Sequence, residues 1–511
     1  MPAADFPQTL SRWAGLLGAA AACALYLLVN LRGDFGGLLA DSYVYLAAAR
    51  ELAHGAAADW SLLLVIGRDY AFPPLFPLVL ALFGAGAEDA TATFTLSALL
   101  MAGVVWVCWA WLRTLGLSAL TAALLATLVA VLPASLLTTM NVLSEPLYTL
   151  LTLLAARALN GPAPGARAWW LASLWVGLAL LCRSVGVVAL AALVLVWCMR
   201  RGWRVAPWAL APALGSALLW SGGQQLAGFA SYTPGLPALP ALGGIVGENL
   251  TALAAAGPAL FELAPGGFAN ASVALVALLA LPALAQRLRA CCFDAWYGLL
   301  YLALMLVWPH PAHAGRFLLP VLPLILAYAA LALHMRGRAG SALPALVPAM
   351  LLLVAVPGAW SIVHTVLHPP APALAAAVRS PAWYLLAPAQ AAQTAEVWQR
   401  LVPVMRAVRD LPADACVATT LPEQVLFYGR RRVVDWARIS RAPEAVNTIA
   451  DRCHYVLMVA LTLYPPPPGI GPMYPFHALT DRLQPLWIER SRRLDLGSPL
   501  LAMLARVGGS P

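Results

Sequence analysis

Long apolar runs separated by short polar segments fill the chain from its start to about residue 365. A helix needs about 20 apolar residues to cross the ~30 Å hydrocarbon core of a bilayer. Because runs near that length recur, the pattern predicts a mostly α, polytopic membrane protein with about 11 transmembrane helices. The predicted spans are 13–31, 94–112, 118–138, 143–159, 169–182, 184–199, 207–226, 268–286, 293–309, 317–334 and 342–363.

The apolar segment 73–87 is treated differently, because its roughly 15 residues reach only ~22 Å as a helix. If this segment does not cross, the arginine clusters at 200–204, 287–289 and 336–338 fall on one side of the membrane. The side with the positive excess is the cytoplasm. We therefore predict a re-entrant or surface-lying helix at 73–87, a cytoplasmic N-terminus and an external tail.

This topology gathers the unusual polar residues at the external face, together with the external loops 32–93 and 227–267. Charged residues at a membrane boundary are costly and usually functional. Their convergence predicts an external site. The residues are Asp41, Asn141, Ser144, Glu145, Arg183, His310, His313 and Arg316.

The composition excludes a soluble globular protein, since charged residues make up 10% of the chain instead of about 25%. The net charge of +9 comes from arginine alone, because the chain has no lysine. The arginines are spread over short loops and the tail, so we expect no nucleic-acid partner. The first apolar run is too long for a signal peptide and lacks a small-residue cleavage site, which favours a retained span.

Residues 368–511 alternate helix and strand patterns and predict a small C-terminal α/β domain, following a membrane module at 1–367. Strands are predicted in CVATT (416–420) and HYVLMVAL (454–461). The predicted helices are 396–409, 423–429 and 443–451.

Cys416 and Cys453 each stand at the start of one of these strands, which places them side by side if the strands are parallel neighbours. In an oxidising compartment the two thiols could form a disulfide. Two separate buried thiols account for the sequence equally well.

The external loop 32–93 carries the densest polar pattern of the membrane module. Asp41 opens a predicted helix there, and a carboxylate in the first turn of a helix is favoured by the helix dipole. The pattern is Asp41-Ser42-x-x-Tyr45-x-x-x-Ala49-Arg50-Glu51-Leu52, then Asp59-Trp60, Arg68-x-Tyr70 and Pro73-Pro74.

This pattern resembles the first external loop of the C-type (GT-C) glycosyltransferases, multi-pass enzymes that move a sugar from a polyprenyl-phosphate carrier to an acceptor outside the cytoplasm. It is most similar to the family 39-like branch with the bacterial aminoarabinose transferases and the protein O-mannosyltransferases. The chain departs from that branch at Ser42, where the family often has glutamate, and at Phe72-Pro73, where the aminoarabinose enzymes have Glu-Lys. The resemblance therefore implies the enzyme class rather than the substrate.

The resemblance implies that Asp41 is the catalytic carboxylate. Attack on the anomeric carbon of a polyprenyl-phosphate sugar needs a base that takes the acceptor proton at the membrane surface. Inversion at that carbon follows if the base only activates the acceptor. The alternative is a first-turn carboxylate that stabilises the loop.

Glu145 follows Asn141 and Ser144 at the start of an apolar helix, so a capped helix with glutamate in its first turn is one interpretation. Oligosaccharyltransferase catalytic subunits carry a second acidic motif at a similar place. By that resemblance Glu145 is a metal ligand, an acceptor contact or a second acid.

Arg316 lies in HAGRFLLPVLP, which looks like the Arg-x-x-x-Pro signature that opens a late helix in many of these enzymes. A guanidinium binds phosphate in a bidentate fashion and would stabilise the leaving group. Snorkelling of the side chain to the headgroups is the alternative. Arg183, between two short apolar helices, is the second candidate for binding the donor phosphate.

Further residues predicted to line the substrate site are Tyr45, Trp60, Tyr70, His310 and His313, although aromatic side chains are also common at membrane interfaces. We expect no required cofactor and no structural zinc, while a divalent cation such as Mg or Mn held by Asp41 and Glu145 is compatible with the sequence. A nucleotide-sugar donor is disfavoured because no specific Gly-rich nucleotide loop is present.

The sequence thus predicts a glycosyltransferase of the bacterial inner (plasma) membrane with a periplasmic C-terminal domain. Its partners would be membrane lipids, a polyprenyl-phosphate sugar donor and a glycan, lipid or protein acceptor. Two alternatives are a flippase or transporter for a lipid-linked sugar and a catalytically inactive assembly subunit. A transporter usually shows internal repeats, and we find no convincing repeat.

Overall fold

Helices make up most of the described chain up to residue 368, and a mixed sheet with a few helical segments follows. The protein is therefore mostly α with a small C-terminal sheet, as the sequence predicts. The computed structural model describes residues 6–30, 35, 38–55, 72–84, 90–161, 163–200, 204, 207–227, 242–262, 266–308, 314–336, 343–368, 388–435, 453–459, 482–490 and 500–508.

The helices of the membrane module follow the apolar runs of the sequence closely. Each of the eleven predicted spans coincides with one or two of them. Their bounds are α1 Phe6–Asn30, α2 Ala40–His54, α3 Leu75–Leu82, α4 Ala90–Thr114, α5 Ala119–Val131, α6 Pro133–Thr139, α7 Glu145–Ala158, α8 Ala166–Cys182, α9 Gly186–Met199, α10 Ala211–Ala227, α11 Leu242–Ala259, α12 Gly267–Arg289, α13 Phe293–Val307, α14 Ala314–Leu318, α15 Leu322–Arg336 and α16 Leu343–Leu367.

Four of these helices, α1, α4, α12 and α16, are long and apolar enough to cross a membrane on their own. Helices α5 and α6 form a bent pair with an angle of 54°. The bend follows from Pro133, which disfavours helical backbone at Leu132 and leaves that residue extended. Helices α8, α9, α13 and α15 are apolar but shorter. The chain is a multi-pass membrane protein, and its eleven crossings stay a prediction.

The two loops predicted to be external contain helices that do not match the predicted spans. Helix α3 has 8 residues, about 12 Å, which is too short to cross. Helix α11 lies in the predicted loop 227–267, whose Pro and Gly content gave no sign of it. Its Asn249 amide donates to the carbonyls of Leu306 and Trp308, at 3.0 and 2.8 Å, and ties α11 to the end of α13.

The carboxyl ends of α4, α7, α9 and α12 meet at one face of the module. Asn160 after α7 donates to the Thr114 carbonyl at 2.8 Å and accepts from Arg287 of α12 at 2.7 Å. Arg200 after α9 donates to the Ala290 carbonyl at 3.2 Å. The arginines of these helix ends therefore lie on one side, away from the amino ends of α7 and α9.

The C-terminal unit contains α17 (Pro388–Ala407), a 3₁₀ turn and α18 (Pro422–Gly429) around a five-stranded sheet of order β2-β1-β3-β5-β4. Strand β1 is parallel to β2 and β3, whereas β5 is antiparallel to β3 and β4. The predicted helices near 396–409 and 423–429 and the two predicted strands are present; the predicted helix 443–451 lies outside the described residues. The strands are β1 Cys416–Thr419, β2 Arg432–Asp435, β3 Tyr455–Val459, β4 Leu483–Arg490 and β5 Leu500–Val507.

Cys416 and Cys453 are joined by a disulfide in the structure, with their Cα atoms 4.6 Å apart. The parallel pairing of β1 with β3 brings the two positions together. The bond links two neighbouring strands rather than leaving two separate buried thiols.

Removal of this disulfide is expected to lower the free energy of unfolding of the C-terminal unit by about 4 kcal/mol, because the bond closes a 37-residue separation in the unfolded chain. Thermal unfolding of purified Cys416→Ala/Cys453→Ala protein measures the loss. Cys198→Ala, at an exposed free cysteine, is the control. If both wild-type thiols react with maleimide without reductant, the expectation fails.

Candidate active site

Helix α2 carries Asp41 in its first turn and is buried from Ser42 through Glu51. The backbone N–H of Leu39 donates to the Asn141 side-chain carbonyl at 3.1 Å. One turn further on, the Tyr45 hydroxyl lies 2.9 Å from that of Ser144. These two contacts fix the start of α2 against the turn between α6 and α7.

The α6–α7 turn does not cap α7 in the way the sequence suggests. Ser144 occupies the N-cap position, but its side chain makes no capping hydrogen bond. Its hydroxyl contacts Tyr45 and accepts from Arg183 at 3.0 Å. The predicted Ser144 cap is therefore wrong, because tertiary contacts use the hydroxyl, whereas the predicted glutamate in the first turn of α7 is present. Glu145, the first residue of α7, is fully buried.

Arg183 enters the site from a break between α8 and α9. Its backbone is extended, with φ −147° and ψ 138°, and ends α8. Its Nη1 lies 2.7 Å from Oε1 of Glu145. The turn is tight because Gly186 approaches the backbone of Leu180 so closely that an added Cβ would lie 2.5 Å from the Leu180 Cα.

Gly186→Ala is expected to destabilise the protein by about 1–3 kcal/mol, because the methyl group has no space and must push α8 and α9 apart. Thermal unfolding of the purified protein measures the effect. Gly215→Ala is the matched control, since an added Cβ there meets nothing within 4 Å. That control is expected to be neutral or stabilising, as alanine favours a helix interior. Equal stability of both variants would contradict the expectation.

Arg316, in the short helix α14, joins Asp41 to the ion pair between Glu145 and Arg183. Its Nη1 donates to Oδ2 of Asp41 at 2.6 Å, and its Nε donates to Oε1 of Glu145. Two carboxylates and two guanidinium groups thus form one neutral group, which we call the ion cluster (Asp41, Glu145, Arg183 and Arg316). The predicted acid, base and phosphate-binding candidates are brought together in it, although 275 residues separate Asp41 from Arg316.

The members of the ion cluster differ in their access to the surroundings. The side chain of Glu145 is 0% exposed and that of Arg316 13%, whereas that of Asp41 is 26% exposed. Oε2 of Glu145 is buried and has no hydrogen-bond partner among the described residues. Asp41 is therefore the member that an incoming molecule reaches most easily.

Burial lowers the pKa of Arg316, but the nearby carboxylates of Glu145 and Asp41 outweigh it, so this pKa lies above its ordinary value. The guanidinium consequently stays charged. The ring of Phe317 lies beside both arginines, 5.6 Å from the guanidinium carbon of Arg183 and 5.8 Å from that of Arg316. Sequence reasoning missed this contact and the Ser144 bridge, and only the adjacency of Phe317 to Arg316 hinted at the first.

The other predicted lining residues are placed less directly. Tyr45 lies next to the ion cluster but is buried, with its ring packed edge-on against Phe72 and Phe76 at centroid distances of 5.2 and 5.0 Å. It supports the α6–α7 turn in this structure, and direct contact with substrate stays a prediction. The remaining four predicted residues lie outside the described part of the chain: Trp60, Tyr70, His310 and His313.

The described residues do not fit a divalent cation. Magnesium prefers octahedral coordination by oxygen, whereas Asp41 and Glu145 are already paired with arginines that would repel the ion. Within the described ranges, no group of three or more His, Cys, Asp or Glu side chains is placed to hold a metal.

The fold of this chain is similar to several solved structures. The structure superimposes on ArnT from Cupriavidus metallidurans bound to undecaprenyl phosphate, with a TM-score of 0.56, 14% identity and coverage of 97% of this chain and 99% of that chain. The apo form of that protein gives a TM-score of 0.51 at 15% identity, with the same coverage.

The archaeal oligosaccharyltransferase AglB from Archaeoglobus fulgidus, in complex with an inhibitory peptide and a dolichol-phosphate, gives a TM-score of 0.51 at 12% identity. This match covers 87% of this chain and 69% of that chain. No protein-family model matches the sequence, and no curated protein is significantly similar to it. The resemblance predicted from the first loop is therefore confirmed at the level of the fold, and this chain has the fold of the C-type (GT-C) glycosyltransferases.

Proposed function

We propose that the protein is a membrane glycosyltransferase that moves a sugar from a polyprenyl-phosphate donor to an acceptor on the external side of the membrane. The ion cluster carries this proposal, because it joins a partly exposed carboxylate to two arginines at the ends of membrane helices. The fold supports it, since ArnT and AglB were solved with undecaprenyl phosphate and dolichol-phosphate, respectively. The acceptor is a glycan, a lipid or a protein.

The arrangement of arginines supports the orientation. The helix ends that carry Arg200 and Arg287 meet on one face, whereas the ion cluster lies at the amino ends of α7 and α9. Since cytoplasmic loops hold the positive excess, the first face is cytoplasmic and the ion cluster external. In a bacterial inner membrane, the proposed site and the C-terminal unit would then lie in the periplasm, where a disulfide such as Cys416–Cys453 is stable.

Donor binding would exchange partners within the ion cluster. The four charges balance, so a phosphate diester must take a guanidinium from one of the carboxylates. Glu145 is fully buried, whereas Asp41 is partly exposed and contacts Arg316 through Nη1. The phosphate would therefore replace Asp41 at Arg316, with Arg183 as the second cation, while Glu145 keeps both arginines in place.

The exchange leaves Asp41 available as the base. Its carboxylate accepts the proton of the acceptor hydroxyl as the acceptor oxygen forms a bond to the anomeric carbon. The bond from that carbon to the phosphate oxygen breaks in the same displacement, which inverts the configuration. The polyprenyl phosphate leaves with one additional negative charge, and the two arginines stabilise it.

Mass spectrometry of envelope glycolipids, surface glycans and the lipid-linked sugar pool from a deletion strain tests the proposal. We expect one sugar substituent to disappear and its polyprenyl-phosphate form to accumulate, and wild-type protein to reverse both changes. Purified protein in liposomes should then transfer that sugar when donor and acceptor are mixed. Translocation of the donor without transfer would instead identify a flippase.

A further inference from the structure

Helix α18 of the C-terminal unit packs directly on α2, the helix that carries Asp41. The Phe427 ring contacts Phe35 and Tyr43, with centroid distances of 5.3 and 5.7 Å, and Tyr428 lies 5.8 Å from Tyr43. The Tyr43 hydroxyl donates to the Phe35 carbonyl at 2.6 Å. The aromatic contact therefore includes both α2 and the chain just before it.

A buried arginine joins the two helices at the same place. Arg50 of α2 is 6% exposed, and its Nη1 donates to the Phe427 carbonyl at 3.0 Å. The last carbonyls of a helix have no partner within the helix, and Arg50 satisfies one of them. Arg409 donates to the next one, that of Tyr428, at 2.6 Å. Arg50 is thus a cap for α18 that is supplied by α2.

The C-terminal unit holds α18 rigidly from its other side. An added Cβ on Gly429 would lie 2.7 Å from Cγ1 of Val408, so α18 sits against the 3₁₀ turn Val408–Asp410 with no space between them. The guanidinium of Arg431 donates to the carbonyls of Leu411 and Arg409, at 3.0 and 2.5 Å. Helix α18 therefore cannot follow a movement of α2 without breaking its own contacts to the C-terminal unit.

We propose that Arg50 and Phe427 are positioning residues, through which the C-terminal unit fixes the orientation of α2 and so the place of Asp41. This inference rests on the proposed function. Helix α2 is held near Asp41 by Asn141 and Ser144, and again at Arg50, nine residues or about 14 Å along the helix. Contacts at two separate points fix the tilt of α2, whereas contacts at one point would allow the helix to pivot. A base misplaced by about 1 Å loses roughly 100-fold in rate.

Hydrogen–deuterium exchange of the purified full-length protein tests the positioning directly. In Phe427→Ala and in Arg50→Met, we expect amides of peptides covering 40–54 to exchange at least about tenfold faster. Peptides covering β1 and β3 should stay as protected as in wild type, whereas a loss of C-terminal stability alone would expose those strands. Trp487→Ala, at a 41% exposed aromatic on β4, is the matched control and should change neither region.

The same variants are assayed for product in the complemented deletion strain, per amount of protein in the membrane. We expect at least a tenfold loss for Phe427→Ala and Arg50→Met, with affinity for undecaprenyl phosphate within about threefold of wild type. Arg50→Lys keeps a cationic donor group for the Phe427 carbonyl, and Phe427→Leu keeps part of the packing, so both should retain part of the activity. If Arg50→Met or Phe427→Ala does not fold, Arg50→Lys or Phe427→Leu is used in its place.

Unchanged exchange of α2, or full product despite faster exchange of α2, would overturn this inference and leave the proposed function intact. The proposed function is tested separately by Asp41→Asn. If that variant still makes product, the proposed function is overturned, whether or not the exchange of α2 changes in the other variants.

Discussion

Asp41→Asn is expected to abolish sugar transfer, with a rate loss of roughly 10²–10⁴-fold, because an amide cannot take the proton of the acceptor. The replacement keeps the shape of the side chain and an oxygen that can accept from Arg316, so the ion cluster should keep its geometry. It also removes one of two negative charges that compete with the donor phosphate. Affinity for undecaprenyl phosphate should therefore stay the same or rise while transfer disappears.

The measurement is mass spectrometry of envelope glycolipids and surface glycans from the deletion strain that carries either form at equal abundance. Asp414→Asn, at an exposed aspartate of the C-terminal unit outside the turn that supports α18, is the matched control and should restore the sugar. If Asp41→Asn restores the sugar as well, Asp41 is not the base. A transporter or an assembly subunit then becomes the better interpretation.

Arg316→Gln is expected to weaken binding of undecaprenyl phosphate by about 10–150-fold, which corresponds to about 1.5–3 kcal/mol for a hydrogen bond to a charged group. The substitution also removes the contact between Arg316 and Asp41 and leaves Glu145 paired with Arg183. Arg316→Lys should fall between wild type and Arg316→Gln, because one ammonium cannot reproduce the separate Nε and Nη1 contacts to the two carboxylates.

Binding of undecaprenyl phosphate to purified protein, by native mass spectrometry or a fluorescence titration, measures the effect. Arg336→Gln is the control, because Arg336 is exposed at the far end of α15. Equal affinity of Arg316→Gln and wild type would show that the donor phosphate binds elsewhere. In that case the exchange of partners at Arg316 could not be the step that releases Asp41.

If Arg50 and Phe427 act as proposed, the C-terminal unit contributes to catalysis by holding α2, and with it Asp41, in position. It would contribute no group to the ion cluster, yet it would decide how accurately Asp41 meets the acceptor. Variants at the α2–α18 contact would then lose turnover without losing the donor, which separates them from variants of Arg316 or Arg183.

The hydrophobic runs of the sequence predicted the helices of the membrane module well, because the length of an apolar run and its proline breaks are local properties of the chain. The same holds for β1 and β3, whose short apolar runs mark buried strands. The exposed edge strand β4 was missed, since Pro485 and an exposed surface at Leu486, Trp487 and Ile488 hide its pattern. Helix α11 was missed because glycine and proline are frequent around it.

The sequence by itself determined a polytopic, mostly α membrane protein, a small α/β unit after it and four charged candidates at helix ends. Only the tertiary structure decided that Arg316 contacts both Asp41 and Glu145, that Ser144 bridges Tyr45 and Arg183 instead of capping α7, and that α18 rests on α2. The physical reason is that helix formation and membrane insertion depend on neighbours in the chain. The partner of a buried charge depends on how distant helices pack, and no local pattern records that packing.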